Sequence, residues 1–249
     1  FIDLHTHSDS GIVAPETRAN VNYLTQGCTT IVTGNCGSGP TDVAAYLAKV
    51  DAAGGGTHVI HLLPQGSLRD RVMGRARRKP TDQELNEMLK LTEQAMRDGA
   101  YGMSTGLIYV PSMYAETDEI AAIAKVVAAR QGIYVSHIRG EGKDLLESVG
   151  EAIKIGREGG CPIHVSHFKA SGQEAWGLIR PAAQLIHEFI EGGGFGLIGA
   201  DKQRLIAVGY GPDDVSPRMA EILRNYDVPL VDAPQEEVPR VADAPMDGT

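Results

Sequence analysis

The chain has 249 residues, of which 42% are hydrophobic and 22% are charged, a balance that supports a sizeable core and argues against global disorder. Its 23 lysines and arginines against 32 aspartates and glutamates leave a formal net charge of −9, which argues against a nucleic-acid or anionic-membrane binder. The three cysteines form no CxxC pair, which indicates a reducing, cytoplasmic location rather than a disulfide framework.

Eight short apolar runs, separated by turns and helical patterns, predict the strands of a parallel sheet. In chain order they occupy residues 1–4, 29–33, 58–63, 101–104, 133–137, 162–167, 195–200 and 228–232. The basic run at residues 69–79 is predicted to be a solvated loop or helix face. Four further segments have helical periodicity. They cover residues 81–99, which open with a Thr81–Glu84 capping box, and residues 118–130, 144–157 and 181–191.

Eight strands alternating with helices in about 250 residues are typical of a (β/α)8 TIM-like barrel. We therefore expect an α/β fold with a barrel, complete or incomplete, over residues 1–232. The acidic, proline-containing residues 233–249 are expected to form a disordered or loosely attached tail. Because barrel enzymes collect their catalytic groups at the carboxyl ends of the strands, residues at those ends are the candidates for a site.

Imidazole and thiol groups stand at the ends of the first, second and fifth predicted strands. His5 and His7 are two residues apart on the first strand, so their side chains share one face. Cys36 follows the second strand in a glycine-flanked turn, and His137 ends the fifth. Cys28 and Cys161 lack such a placement and are expected to pack in the interior.

The sixth strand adds one more ligand. His164 and His167 are three residues apart and fall on opposite faces of the strand. His167, at the carboxyl end, is the expected ligand, whereas His164 is expected to pack, as are His58 and His61. Five nitrogen and sulfur ligands favour Zn²⁺ over Mg²⁺ or Ca²⁺. We expect one tightly bound zinc ion and a second, weaker one at a hydrolytic site, where a thiolate could bridge them.

Other residues near these strand ends suit an anionic substrate. Lys169 lies two residues after the sixth-strand ligand, and Arg139 lies two residues after His137. Tyr109, in a Gly-Leu-Ile-Tyr-Val-Pro loop, could donate a hydrogen bond to a developing oxyanion. Asp232 ends the eighth predicted strand, and Asp201 follows the seventh.

Five segments resemble the amidohydrolase superfamily, and specifically the N-acyl-D-amino-acid deacylases, or D-aminoacylases. They are FIDLHTHSD, GNCG, GAYGMSTGLIYVPSMYA, YVSHIRGEG and HVSHFKASG. The similarity covers residues 1–176, and the last three segments are specific to that family. The resemblance implies that the five ligands named above bind zinc, with Cys36 in the bridging place. It also implies that Lys169 grips the substrate carboxylate and that Tyr109 holds the substrate or polarises its amide. The family's catalytic aspartate ends strand eight, so the candidate general base is Asp232, with Asp201 as the alternative.

The activity implied by the resemblance is zinc-dependent cleavage of N-acyl-D-amino acids, which are small-molecule partners, into a carboxylic acid and a free D-amino acid. The alternatives are a cyclic amidase of the dihydroorotase or hydantoinase kind and a truncated metal-binding barrel without catalysis. Three features depart from the family: no accessory β-sandwich is expected, the seventh strand lacks the ADxYPY motif, and Gln65 stands where relatives often have histidine. We therefore expect the chain to be the metal-binding part of a longer hydrolase.

Overall fold

Six parallel strands form one sheet within residues 1–191, the part of the chain that the computed structural model describes. In chain order they are β1 (Ile2–Asp3), β2 (Thr30–Thr33), β3 (His58–Pro64), β4 (Gly102–Gly106), β5 (Ile133–His137) and β6 (Ile163–Val165). Each strand pairs with the next one along the chain, which is the strand order of a (β/α) barrel. The first six predicted strands are confirmed. The other two, at residues 195–200 and 228–232, lie outside the described residues, as does the predicted tail.

Helices connect the strands, and the four predicted ones are present with ends shifted by at most two residues. The helices are α1 (Val21–Leu24), α2 (Val43–Ala53), α3 (Gln65–Met73), α4 (Asp82–Arg97), α5 (Thr117–Ala128), α6 (Leu145–Gly159) and α7 (Ile179–Glu191). The predictions correspond to α4 through α7, whereas α1, α2 and α3 were not predicted. Within residues 1–191, none of the helices is long and apolar enough to span a membrane.

Helix α4 shows how the sequence sets an element's boundaries. Thr81 Oγ1 accepts a hydrogen bond from the Glu84 backbone N–H at 3.2 Å, and Glu84 Oε2 accepts one from the Thr81 N–H at 2.7 Å. This capping box satisfies two donors that a helix start would otherwise leave unpaired. Met88, Thr92 and Ala95, which are spaced four and three residues apart, are buried against the sheet. One face of α4 therefore closes the core, and the opposite face is solvated.

The prediction that the basic run at residues 69–79 forms a solvated loop or helix face is wrong at Arg69. Arg69 is fully buried, with its Nε 3.0 Å from Glu119 Oε1 on α5. Its terminal nitrogens donate to the carbonyl oxygens of Ala76 at 3.1 Å and Arg78 at 2.6 Å. A buried arginine requires a charged or hydrogen-bonding partner. Glu119, 50 residues later in the chain, supplies the carboxylate that makes the burial of Arg69 possible.

Candidate metal centre

The carboxyl ends of four strands bring together four of the five predicted metal ligands. His5 lies two residues after β1 and Cys36 three residues after β2. His137 is the last residue of β5, and His167 lies two residues after β6. Because the carboxyl ends of parallel strands open at the same edge of a sheet, ligands distant in the sequence meet there.

The sulfur of Cys36 lies at the centre of this cluster. It is 3.5 Å from His5 Nε2, 3.4 Å from His137 Nδ1 and 3.9 Å from His167 Nε2. The two facing nitrogens of His137 and His167 are 2.9 Å apart. His7, the fifth predicted ligand, is exposed beside the cluster, with its ring centroid 5.1 Å from that of His5. Three histidine nitrogens thus approach the Cys36 sulfur, and His7 stands at the rim.

A glycine-rich turn after β2 directs Cys36 toward the cluster. Gly34 has a φ of 74° and Cys36 one of 53°, a left-handed conformation that is uncommon for a residue with a side chain. A Cβ atom at Gly34 would lie 2.1 Å from the Leu62 carbonyl oxygen, so this turn packs directly against β3. Ser104 on β4 holds it in place, because its hydroxyl donates to the Gly34 carbonyl and accepts from the Gly37 N–H at 2.9 Å.

Burial keeps the cluster histidines in their neutral form. The pKa values of His5 and His137 are both lowered to about 4. The larger cause is burial of the two rings, and the second is the charge of the nearby His167. Burial raises the pKa of the Cys36 thiol to about 11. Neutral imidazole is the form that binds metal ions, and a divalent cation next to the sulfur would supply the positive charge that a thiolate needs.

The donor set and its spacing fit a zinc ion. In a tetrahedral site, sulfur and nitrogen ligands of zinc are about 3.6 Å apart, and the sulfur–nitrogen separations here run from 3.4 to 3.9 Å. His5 Nδ1 and His137 Nε2 are buried and have no hydrogen-bond partner within the described part of the chain. Two groups of described residues could hold an ion: His5, Cys36 and His167 form one, and His137, Glu141 and His167 form the other. The Cys36 sulfur, 3.4 Å from His137 Nδ1, links the two groups.

A cleft of about 440 Å³ opens beside the cluster and is lined by His7, Cys36, Ser67 and Tyr109, among others. This size is typical of small-molecule sites. The Tyr109 ring makes an edge contact with His137, with the ring centroids 5.0 Å apart. Tyr109 is half-exposed, and its phenol is therefore accessible from the cleft, as a role in substrate binding requires.

Buried polar residues hold the Tyr109 loop. Ser112, three residues after Tyr109, donates to Gln65 Oε1 at 2.5 Å. Gln65 Nε2 in turn donates to Glu119 Oε1 at 3.2 Å, and Glu119 pairs with Arg69. Gln65, singled out in the sequence as a departure from the family, thus supports the loop that carries Tyr109.

Lys169 stands at the edge of the cluster, as predicted for a substrate contact. Its Nζ lies 2.7 Å from Glu141 Oε1 and 3.3 Å from His167 Nδ1. The same carboxylate oxygen lies 2.9 Å from His167 Nδ1. Glu141 was not identified from the sequence, although it lies in the YVSHIRGEG segment. The available signal was a carboxylate four residues after a ligand histidine, between two glycines.

Arg139 is not brought to the cluster, in contrast to its predicted role as a substrate contact. Its guanidinium forms two bonds of 2.8 Å with the Glu151 carboxylate on α6. It also donates to the carbonyl oxygens of Met113 at 2.9 Å and Ala115 at 3.0 Å. Residues two apart share a face only while the strand continues, and Arg139 lies beyond the end of β5. Its observed contacts connect the β4 and β5 loops to α6.

The other histidines differ in burial. His61 is buried and contacts Thr33 Oγ1 at 2.9 Å and the Pro40 carbonyl oxygen at 3.0 Å, as a packed histidine should. His164 is half-buried, and burial lowers its pKa. His58 is exposed, so the expectation that it packs is wrong; it is the first residue of β3.

The remaining predicted residues divide between packing and the undescribed part of the chain. Cys161 is buried and donates to the Gly132 carbonyl at 3.3 Å, whereas Cys28 is only half-buried. Asp232 and Asp201, the two candidates for the general base, lie outside the described residues.

Comparison with known proteins shows that the chain is similar to deacylases. No protein-family model matches the chain. The D-aminoacylase of Alcaligenes xylosoxydans xylosoxydans is 34% identical over 209 residues, which cover 75% of this chain and 43% of that protein. The N-acyl-D-aspartate deacylase of the same organism is 35% identical over 214 residues, covering 75% of this chain and 42% of that protein.

A solved structure also shows similarity to a deacylase. The N-acyl-D-glutamate deacylase of Bordetella bronchiseptica, crystallised with zinc and a phosphonate mimic of the tetrahedral intermediate, superposes with a TM-score of 0.75 and 33% identity. The match covers 79% of this chain and 46% of that one. The chain therefore spans less than half the length of the relatives it matches. By sequence and by structure it is a homologue of the D-aminoacylases and N-acyl-D-amino-acid deacylases, which confirms the resemblance carried by its motifs.

Proposed function

We propose that this chain carries the metal-binding part of a zinc-dependent hydrolase that converts N-acyl-D-amino acids into a carboxylic acid and a free D-amino acid. The observation that carries the proposal is the convergence of three histidine nitrogens on the Cys36 sulfur at the carboxyl ends of four strands. The activities of the related deacylases supply the substrate class.

The tight zinc site would be formed by His5, Cys36, His137 and His167, and His7 at the rim is suited to a second, weaker site. A zinc ion supplies Lewis-acid polarisation of the scissile carbonyl and activation of water. The chain's own residues bind and orient the substrate beside it. The cleft next to His7 and Cys36 has room for a compound of this size.

Two side chains at the rim would position the substrate. The Lys169 ammonium binds the carboxylate of the amino acid, since it is half-exposed and, among residues 1–191, within hydrogen-bond distance of only one carboxylate group. Tyr109 donates a hydrogen bond to the acyl oxygen; desolvation raises the pKa of its phenol, which therefore keeps its proton at neutral pH. Asp232, or Asp201 in its place, would accept a proton from the attacking water and return it to the leaving amine.

The wider setting is proposed on the same evidence. The six consecutive parallel strands support a (β/α)8 barrel completed by strands outside the described residues. The free state of Cys28, Cys36 and Cys161 supports a cytoplasmic location. The partner is a small N-acyl amino acid rather than a macromolecule.

Metal analysis of the purified full chain tests the cluster. The wild type should contain about one tightly bound zinc per chain, and Cys36→Ser should lose it. Cys161→Ser is the matched control, because Cys161 is equally buried but lies away from the cluster. Substitution with cobalt should give a thiolate charge-transfer absorption that is absent from Cys36→Ser. Equal zinc content in the wild type and Cys36→Ser would refute the proposed site.

Substrate assays separate the candidate activities. Hydrolysis of N-acetyl-D-methionine, without hydrolysis of hydantoin or dihydroorotate, is the expected result, and Asp232→Asn should abolish it. Turnover of the cyclic substrates alone would indicate a cyclic amidase. Zinc retained without turnover of any substrate would show that this chain is a non-catalytic barrel fragment and overturn the proposed activity.

A further inference from the structure

Glu141 joins the metal cluster to the proposed substrate contact through a single oxygen atom. Its Oε1 lies 2.9 Å from His167 Nδ1 and 2.7 Å from Lys169 Nζ. The side chain is only 15% exposed, so water competes little for this carboxylate. The loop after β5 is also joined to the loop after β6, because the Ser171 N–H donates to the Glu141 carbonyl at 2.6 Å.

His167 needs an external support of this kind. The strand before it has only three residues, and His167 itself has a φ of 35°, outside the extended conformation. Regular strand pairing therefore does not fix the direction of its side chain. A carboxylate that accepts the Nδ1–H leaves the lone pair on Nε2, and this nitrogen faces Cys36 and His137.

We propose that Glu141 is a positioning residue that fixes the tautomer and ring orientation of His167 for metal binding and holds Lys169 at the rim of the cleft. The part concerning His167 requires only a metal site, whereas the part concerning Lys169 rests on the proposed function. A ligand histidine commonly donates its second N–H to a carboxylate in this way, and loss of such a partner typically weakens metal binding by about 10–100-fold.

Zinc affinity of the purified full chain, measured by competition with a chromogenic chelator, tests the proposal. Glu141→Ala should weaken binding by about 10–100-fold. Glu141→Gln should recover most of the loss, because its amide oxygen still accepts the Nδ1–H. Glu147→Ala, at an exposed position on the first turn of α6, is the control and should bind zinc as the wild type does. Wild-type affinity in Glu141→Ala would overturn the proposal.

Two spectroscopic readouts distinguish positioning from other roles. Because Glu141 also lies near His137 and His167 as a possible direct ligand, the cobalt-substituted protein should be examined. An unchanged cobalt spectrum in Glu141→Gln supports positioning, and a changed coordination geometry overturns it. In metal-free protein, proton NMR should detect a hydrogen-bonded His167 Nδ1–H that Glu141→Ala loses. This signal is independent of zinc and turnover, so its absence from the wild type would overturn the proposal without bearing on the proposed function.

Discussion

Replacing Glu119 with alanine should destabilise the chain by about 3–5 kcal/mol, because the change leaves a fully buried arginine without its counter-charge. The side chains of Arg69 and Glu119 are 0% and 3% exposed. Glu119 Oε1 accepts hydrogen bonds from Arg69 Nε at 3.0 Å and from Gln65 Nε2 at 3.2 Å. Without Glu119, the Arg69 guanidinium keeps two backbone carbonyl oxygens as its hydrogen-bond acceptors. The Gln65 amide loses the acceptor that Glu119 provides.

Removing both charges should cost less than removing one. Burial raises the pKa of Glu119 although Arg69 lies beside it, which indicates that desolvation of the carboxylate outweighs its attraction to the guanidinium. The double variant Arg69→Met with Glu119→Leu has no stranded charge and roughly preserves volume. The carbonyls that lose Arg69 are partly buried and accessible to water, so we expect a loss of about 1–3 kcal/mol.

Urea unfolding followed by circular dichroism and by fluorescence of the single tryptophan, Trp176, measures these differences. With an m-value of about 2–3 kcal/mol/M, the midpoint for Glu119→Ala should fall by about 1–2.5 M. Glu116→Ala, which removes only the exposed pair with Lys79, should change stability by about 0–1 kcal/mol. A loss below about 1 kcal/mol in Glu119→Ala, or a double variant less stable than the single one, would refute the reasoning.

Two other predictions follow from local packing. Thr81→Ala removes the acceptor for the Glu84 N–H and should lower the free energy of unfolding by about 0.5–2 kcal/mol in the same urea assay, whereas Thr81→Ser should retain it. Gly106→Ala would place a Cβ 2.1 Å from the Cys36 carbonyl oxygen, so zinc affinity should fall roughly tenfold or more. The control is Gly150→Ala in α6, where an added Cβ would meet open space. This control should raise stability by about 0.4–1 kcal/mol and leave zinc affinity unchanged. Unchanged zinc affinity in Gly106→Ala would contradict the assigned contact.

The sheet and most of the ligands could be predicted because both depend on local patterns. Apolar runs identify the strands, and residues at their carboxyl ends must meet if the strands are parallel and in order. Position alone identified His5, Cys36, His137 and His167 as candidate ligands. The prediction that His5 and His7 lie together on the first strand is wrong, because β1 ends at Asp3 and both residues follow it. Of the two, His5 contacts Cys36, and His7 is exposed.

What could not be predicted depends on contacts between segments distant in the sequence. Arg69 has a basic sequence context typical of a surface, and only Glu119 on another helix makes its burial possible. Arg139 was expected at the cluster, but its guanidinium pairs with Glu151, twelve residues away on α6. Helix α3 begins directly at the end of β3, without a connecting loop to mark the change. Single-residue spacing carries no information about such partners.

Backbone conformation offers an independent reason to place the function at this cluster. Four described residues other than glycine have positive φ: Asn20, Cys36, Gln131 and His167. Gln131 follows α5, a position where such a conformation commonly terminates a helix, and Asn20 is an asparagine, a residue that tolerates this conformation. Cys36 and His167 have no such role, and both are candidate ligands in the same cluster. The strained backbone positions therefore coincide with the candidate metal centre. Because backbone strain costs stability, its concentration at this point is best explained by a metal ion whose binding offsets it.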